Sequence, residues 1–315
     1  MRRRRRCSKL SSKATSQVTT KENQMASHSA PKTNPDRTMT PDNRPTSTSP
    51  RPFLFVHGAW HGPWCWQEHW TGYFRDAGHH VETIELGAHD RPGDRARIWT
   101  TIRGHVAEVR QRLAELGPRT VLVGHSMGGL IVQRVLEDSA AAGAVLLASV
   151  PRRGVLPATL RILRRAPWAT FRSIATISLG PIVASEALAR RAFFTPGTPD
   201  SVVQATFARL QNESFRSFLN MLVRTPRPSA VTTPVQVIAA EHDGFFTLAE
   251  QHDLARAYAT RLHVVAGSGH DLMSDSHWSQ AADEVLRWAS MLDAGSAVGA
   301  TPEEVSRLIA DAVPG

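Results

Sequence analysis

Cysteine is scarce: Cys7 and Cys65 are the only two in 315 residues, and they stand on opposite sides of a shift in composition. A structural disulfide is therefore not expected, and a reducing, cytoplasmic setting is. Long apolar runs are missing too. No stretch of about 18 apolar residues occurs, so no membrane span is expected. The arginine run Arg2–Arg6 is followed by CSKLSSKATSQ. That stretch lacks the roughly 7–15 apolar residues of a secretory signal, so neither a Sec nor a twin-arginine leader is expected.

Net charge is nearly absent from the body of the chain. The total is +9, but residues 1–50 carry +8 of it, with eleven Lys and Arg against Glu22, Asp36 and Asp42. A body left with +1 does not call for a polyanion, and no nucleic-acid partner is expected. From Ser8 to Pro50 large apolar side chains are almost lacking. Such a segment buries too little surface to offset the entropy of ordering it, so residues 1–50 read as a disordered basic tail. Two other readings of it are a translation start at Met25 or Met39 and a polybasic anchor for anionic lipid or nucleic acid.

From Arg51 onward short runs rich in Val, Ile and Leu alternate with stretches of helical period. Strands are predicted at 52–57, 80–86, 120–125, 143–149, 234–241 and 261–267. Helices are predicted at Trp64–Ala77, Arg95–Leu116, Met127–Ala140, Thr247–Ala259 and Ser276–Leu292. Runs apolar on both faces suit a parallel sheet covered by helices on each side, which makes the class α/β, a mainly parallel doubly wound sheet of about six strands. One segment breaks the alternation. Residues 151–232 contain no convincing strand, and Pro157, Pro167, Pro181, Pro196 and Pro199 divide them into amphipathic pieces. They read as a helical cap inserted in a core formed by 51–150 and 233–292. The stretch 151–233 carries +9 and 233–315 carries −8, so the two can dock partly by charge unless the arginines are simply solvated. Residues 293–315 read as a linker and a short helix, with Thr301, Pro302 and Glu304 forming its capping box.

Three separated sites carry chemistry. The first is Gly124-His125-Ser126-Met127-Gly128-Gly129, directly after one predicted strand and before a helix. A nucleophile on a tight strand-to-helix turn needs small residues two positions before and after it, and Gly124 and Gly128 supply them. Serine also needs a base, and the base an orienting acid. The loop after 234–241 offers Asp243, with Glu241 competing, and the loop after 261–267 offers His270. Asp271, beside the histidine, is a weaker alternative for the acid. The third site is His57-Gly58-Ala59-Trp60-His61-Gly62, where a sharp turn at Gly58 lets the Ala59 amide face the same pocket as the Met127 amide. His57 and His61 lack a third ligand at metal-binding spacing, and no metal is expected. Trp60, His125, Phe193 and Phe194 are candidates to contact substrate, and Leu156, Phe207 and Phe215 suggest an apolar cap lining.

FVHGAWHGPWCW together with GHSMGG resembles the α/β-hydrolase superfamily over 51–292, and within it the branch of plant methyl esterases, hydroxynitrile lyases and bacterial relatives. The resemblance implies a cofactor-free enzyme acting on a small-molecule carboxylic ester or a cyanohydrin. It implies Ser126 as nucleophile, His270 as base, Asp243 as its acid, and Ala59 and Met127 as oxyanion donors. The lyases have Thr at the position of Gly58 and Lys at that of Asp271, which favours an esterase. A serine at 126 also disfavours the epoxide hydrolases and dehalogenases, which use aspartate there. A lyase or haloperoxidase-like activity on the same triad, and a non-catalytic binding protein, are the alternatives.

Overall fold

In the computed structural model, residues 50–87, 100–223 and 225–297 are described. The tail 1–49, the predicted helix start at 95–99 and the capping box at 301–304 lie outside them. Six strands form one sheet: β1 Pro52–Val56, β2 His80–Ile84, β3 Val121–His125, β4 Gly143–Leu147, β5 Val235–Ala240 and β6 Leu262–Val265. Their order is β2-β1-β3-β4-β5-β6 and every pairing is parallel. The four central strands are buried almost throughout, whereas β2 and β6, with their mixed polar sequences, take the half-exposed edges.

Strand alternation divides the core into two layers. Leu54, Val56, Leu122 and Leu146 face one side, against α3 (Ile102–Leu116) and α4 (Met127–Val135). Phe53, Phe55, Val123 and Leu147 face the other. That second layer holds α1 (Trp64–Gln67), α2 (Trp70–Asp76) and α11 (Trp278–Ala297). The single helix predicted over Trp64–Ala77 is two, because His69 leaves helical geometry (φ −127°). The break lets Trp66 and Trp70 both pack on the Phe55 ring, at 4.9 and 5.9 Å. At the other end α11 runs to Ala297, beyond the predicted start of a linker at 293. No proline interrupts the sequence there, and alanine favours helix.

Between β4 and β5 stand five α-helices, α5 Leu156–Arg165, α6 Pro167–Thr176, α7 Glu186–Phe193, α8 Asp200–Phe207 and α9 Phe215–Val223, and two short 3-10 helices. All but Pro196 of the prolines that divide this segment become helix starts. Pro157 and Pro167 sit in the first turns of α5 and α6, where a missing N–H costs nothing, and Pro199 is the cap of α8. The remaining helix, α10 (Leu248–Ala257), begins with a capping box of Thr247 and Glu250.

Candidate active site

Parallel strands end on one edge of a sheet, so the loops after β1, β3, β5 and β6 emerge together. Register makes the neighbours explicit: Val56 pairs with Gly124, and Ala240 with Val265.

Ser126 occupies the single residue between β3 and α4, at φ 53° and ψ −115°. A non-glycine residue held there stores about 1–3 kcal/mol of strain, and the surrounding backbone fixes it. The Ser126 N–H donates to Leu147 O at 3.1 Å, and its carbonyl accepts from Gly129, Leu130 and Val150. The requirement for small flanking residues is steric and severe. A Cβ at Gly128 would lie 2.2 Å from Val56 O, and one at Gly124 would lie 2.5 Å from Gly128 O.

His270 Nδ1 lies 2.8 Å from Asp243 Oδ2, and both side chains are buried. The other carboxylate oxygen of Asp243 accepts the N–H groups of Phe245 and Phe246, at 2.7 and 3.0 Å. With Nδ1–H donated to the carboxylate, Nε2 of His270 is left as the proton acceptor. The rival acids are turned elsewhere. Glu241 accepts the Gly267 N–H at 2.7 Å, and Asp271 faces His61.

The β1 loop is held by its two histidines. His57 accepts the Leu86 N–H at Nε2 and so donates from Nδ1 to Gly58 O at 2.9 Å, which orients the peptide carrying the Ala59 N–H. Both ring nitrogens of His61 face acceptors, Ala59 O at 2.9 Å and Asp271 Oδ2 at 3.3 Å. Burial lowers the affinity of His61 for a proton, but the Asp271 charge and these hydrogen bonds outweigh it and raise the pKa above its ordinary value. Neither histidine belongs to a group of three or more metal-type side chains among the described residues. A Cβ at Gly58 would lie 3.0 Å from Ser126 Cβ, so this loop passes directly beside the serine. The Ala59 and Met127 amides donate to no other described residue.

A cavity of about 130 Å³ opens beside them, lined by Ala59, Trp60, Ser126 and Met127 at its floor. Residues of α5, α6 and α9, with Phe245 and Phe246, complete an almost wholly apolar wall. The Phe245 and Phe246 rings lie 4.8 and 5.6 Å from the His270 ring, joining cavity to imidazole. Nothing in the sequence marked this pair as lining, although the Asp-Gly ahead of it signals the turn that places it.

Trp60 lines the cavity and hydrogen-bonds Leu179 O through Nε1 at 3.2 Å. His125, Phe193 and Phe194 are not among the lining residues. His125 donates from Nε2 to His270 O at 3.0 Å, tying the end of β3 to the loop that carries His270. Burial and the neighbouring histidines push its pKa well down, so it stays neutral. Phe193 stands behind the site, stacked on His270 at 6.2 Å, because its carbonyl accepts the Asp271 N–H and wedges the end of α7 against that loop. Phe194 faces a neighbouring groove. Of the three further lining candidates, Phe215 lines the cavity, Leu156 is exposed and Phe207 packs against the core.

Comparison with known proteins agrees with this architecture. The model of the alpha/beta hydrolase family matches residues 53–288. Methyl jasmonate esterase 1 of Vitis vinifera is 36% identical over 89 residues, 28% of this chain and 34% of that protein. Esterase PIR7B of Oryza sativa subsp. japonica is 34% identical over 112 residues, 34% of this chain and 41% of that protein. The matched region thus spans between a third and about two fifths of these relatives. The crystal structure of a methylesterase, MES16 from Arabidopsis, superposes with a TM-score of 0.58 at 22% identity, covering 76% of this chain and 99% of that one. The chain belongs to the alpha/beta hydrolase family. Its likeness within that family is to the methylesterase branch.

Proposed function

We propose that the protein is a cofactor-independent serine hydrolase that cleaves a small carboxylic ester with an apolar acyl group. The observation that carries this reading is the gathering, on the loops at one edge of the sheet, of a strained serine and two amides with no acceptor among the described residues beside an apolar cavity, together with a buried His–Asp pair whose imidazole packs on the lining Phe245 and Phe246. The relatives named as esterases support the same class of reaction. In this reading Ser126 Oγ attacks the ester carbonyl while Nε2 of His270 takes its proton, and Asp243 stabilises the imidazolium. The Ala59 and Met127 N–H groups receive the oxyanion. Collapse breaks the ester C–O bond, and the imidazolium protonates the departing alcohol. Water then attacks the acyl carbon while His270 takes its proton, the bond from that carbon to Ser126 Oγ breaks to release the acid, and His270 returns the proton to Oγ. A reducing compartment suits Cys65, which is buried and unpaired.

Assaying the purified full chain on p-nitrophenyl esters beside a cyanohydrin, with and without a metal chelator, tests the reading. The expected result is chelator-insensitive ester turnover without cyanide release. Cyanide release without ester turnover would move the protein to the lyases. Stoichiometric ligand binding without turnover would make it a binding protein.

A further inference from the structure

Large apolar side chains left in solvent are concentrated on one part of this protein. Among the described residues, every strongly exposed one falls between Leu156 and Val223. On α5 they are Leu156, Leu160 and Leu163, and on α6 they are Trp168, Phe171 and Ile174, each set at helical spacing. Trp168 is 69% exposed, Phe171 59% and Ile174 63%, and the Trp168 and Phe171 rings stack on each other at 5.5 Å. These helices already use another face for the fold: Ala158 and Ile162 of α5 and Thr170 and Ser173 of α6 line the cavity. The outward stripe is therefore a second apolar face, and a folded monomer in water seldom keeps a contiguous one.

Charge narrows what can cover it. Residues 151–185 contain six arginines and no Asp or Glu. Three of the six, Arg152, Arg153 and Arg161, pair with Asp253 or Glu250. Arg164, Arg165 and Arg172 are exposed and have no carboxylate partner among the described residues. Two copies meeting through this face about a twofold axis would bring these unpaired cations together, which disfavours self-association. Exposed Trp, Phe and Leu side chains bordered by arginines on two short helices are what an anionic lipid surface accepts. The rings enter the boundary between headgroup and acyl chain, and the guanidinium groups meet phosphate. At ten residues each, α5 and α6 lie on such a surface and do not cross it.

We infer that the outer face of α5 and α6 docks the protein onto anionic lipid bilayers. Ile174 both lines the cavity and stands exposed, so the cavity wall and the docking face share a residue. The docking itself does not depend on the reaction assigned above.

Sedimentation of the full-length protein with vesicles, of phosphatidylcholine alone or mixed equally with phosphatidylglycerol, tests the inference. Binding is expected to the mixed vesicles and to weaken in high salt. The double variant Trp168→Ser/Phe171→Ser should lose roughly tenfold or more of that affinity. Its circular dichroism and its activity on a water-soluble ester should match the wild type. Arg2→Ser, combined with the same change at Arg3, Arg4, Arg5 and Arg6, should leave the apolar contribution in place. Absence of binding to mixed vesicles would overturn the inference. So would undiminished binding by the Trp168/Phe171 variant, or binding carried wholly by the arginine run. A solution dimer that the same double substitution dissolves would assign the face to self-association instead.

Discussion

At the scale of single residues, the site depends on groups that never touch the cavity. Asp271 holds His61, His61 holds Ala59 O, and His57 orients the neighbouring peptide. Asp271→Asn keeps the shape but removes the carboxylate that His61 Nε2 faces at 3.3 Å. Weakening a buried hydrogen bond of this kind is expected to lower stability by about 1–3 kcal/mol. With the β1 loop loosened, the Ala59 amide, the proposed oxyanion donor, is misplaced, and kcat should fall by on the order of tenfold or more while KM changes little. Urea unfolding and steady-state kinetics check both effects. Normal kcat in a destabilised variant would show that the pair serves folding alone. The sequence offered Asp271 only as a candidate acid. Its actual partner lies 210 positions away, a pairing no local pattern can reveal. The place of Ser126 on the strand-to-helix turn, by contrast, was legible from spacing alone, because the glycines on either side answer to a steric demand that operates within five residues.

At the scale of elements, the strand-to-helix turn is set by how closely β1 and α4 approach. Gly128→Ala would put a methyl group 2.2 Å from the Val56 carbonyl oxygen, a backbone atom that cannot swing away. The expected outcome is a loss of about 3 kcal/mol or more, or failure to fold, measured by thermal unfolding. A variant within about 0.5 kcal/mol of wild type would mean that the two elements are separable. Element types and order were readable because each strand carries its own apolar run and each helix its own period. The α1–α2 break was not, since it arises from two tryptophans converging on Phe55. Part of the charge imbalance seen in the sequence is met at this scale as well. Arg161 pairs with Glu250, and Arg152 with Asp253, joining the helical insertion to α10. Neither this pairing nor the exposed stripe on α5 and α6 follows from composition, because facing directions depend on how the helices pack.

At the scale of the whole molecule, two buried histidines tie stability to pH in opposite senses. Both have an ordinary value of 6.5. His61 is raised, so above pH 6.5 the folded protein keeps a proton that the unfolded chain has released. Its contribution is complete below 6.5 and disappears as pH rises through the folded pKa. His125 is depressed, so below 6.5 the unfolded chain takes up a proton that the folded state refuses, and stability falls as pH drops. Together they place a maximum near pH 6.5, with limbs no steeper than about 1.4 kcal/mol per pH unit for each group. Urea midpoints across pH should show it, and His125→Gln should flatten the acid limb. An acid limb unchanged in that variant would exclude His125 as its source.

The parallel sheet gathers segments from residue 57 to residue 271 around one hydroxyl group, and the proposed chemistry rests on that hydroxyl being the nucleophile. Treating the full-length protein with a fluorophosphonate and locating the adduct by mass spectrometry tests this most directly. The expected result is one stoichiometric adduct on Ser126, absent from Ser126→Ala. An unlabelled wild type, or equal labelling of the Ser126→Ala variant, would contradict it.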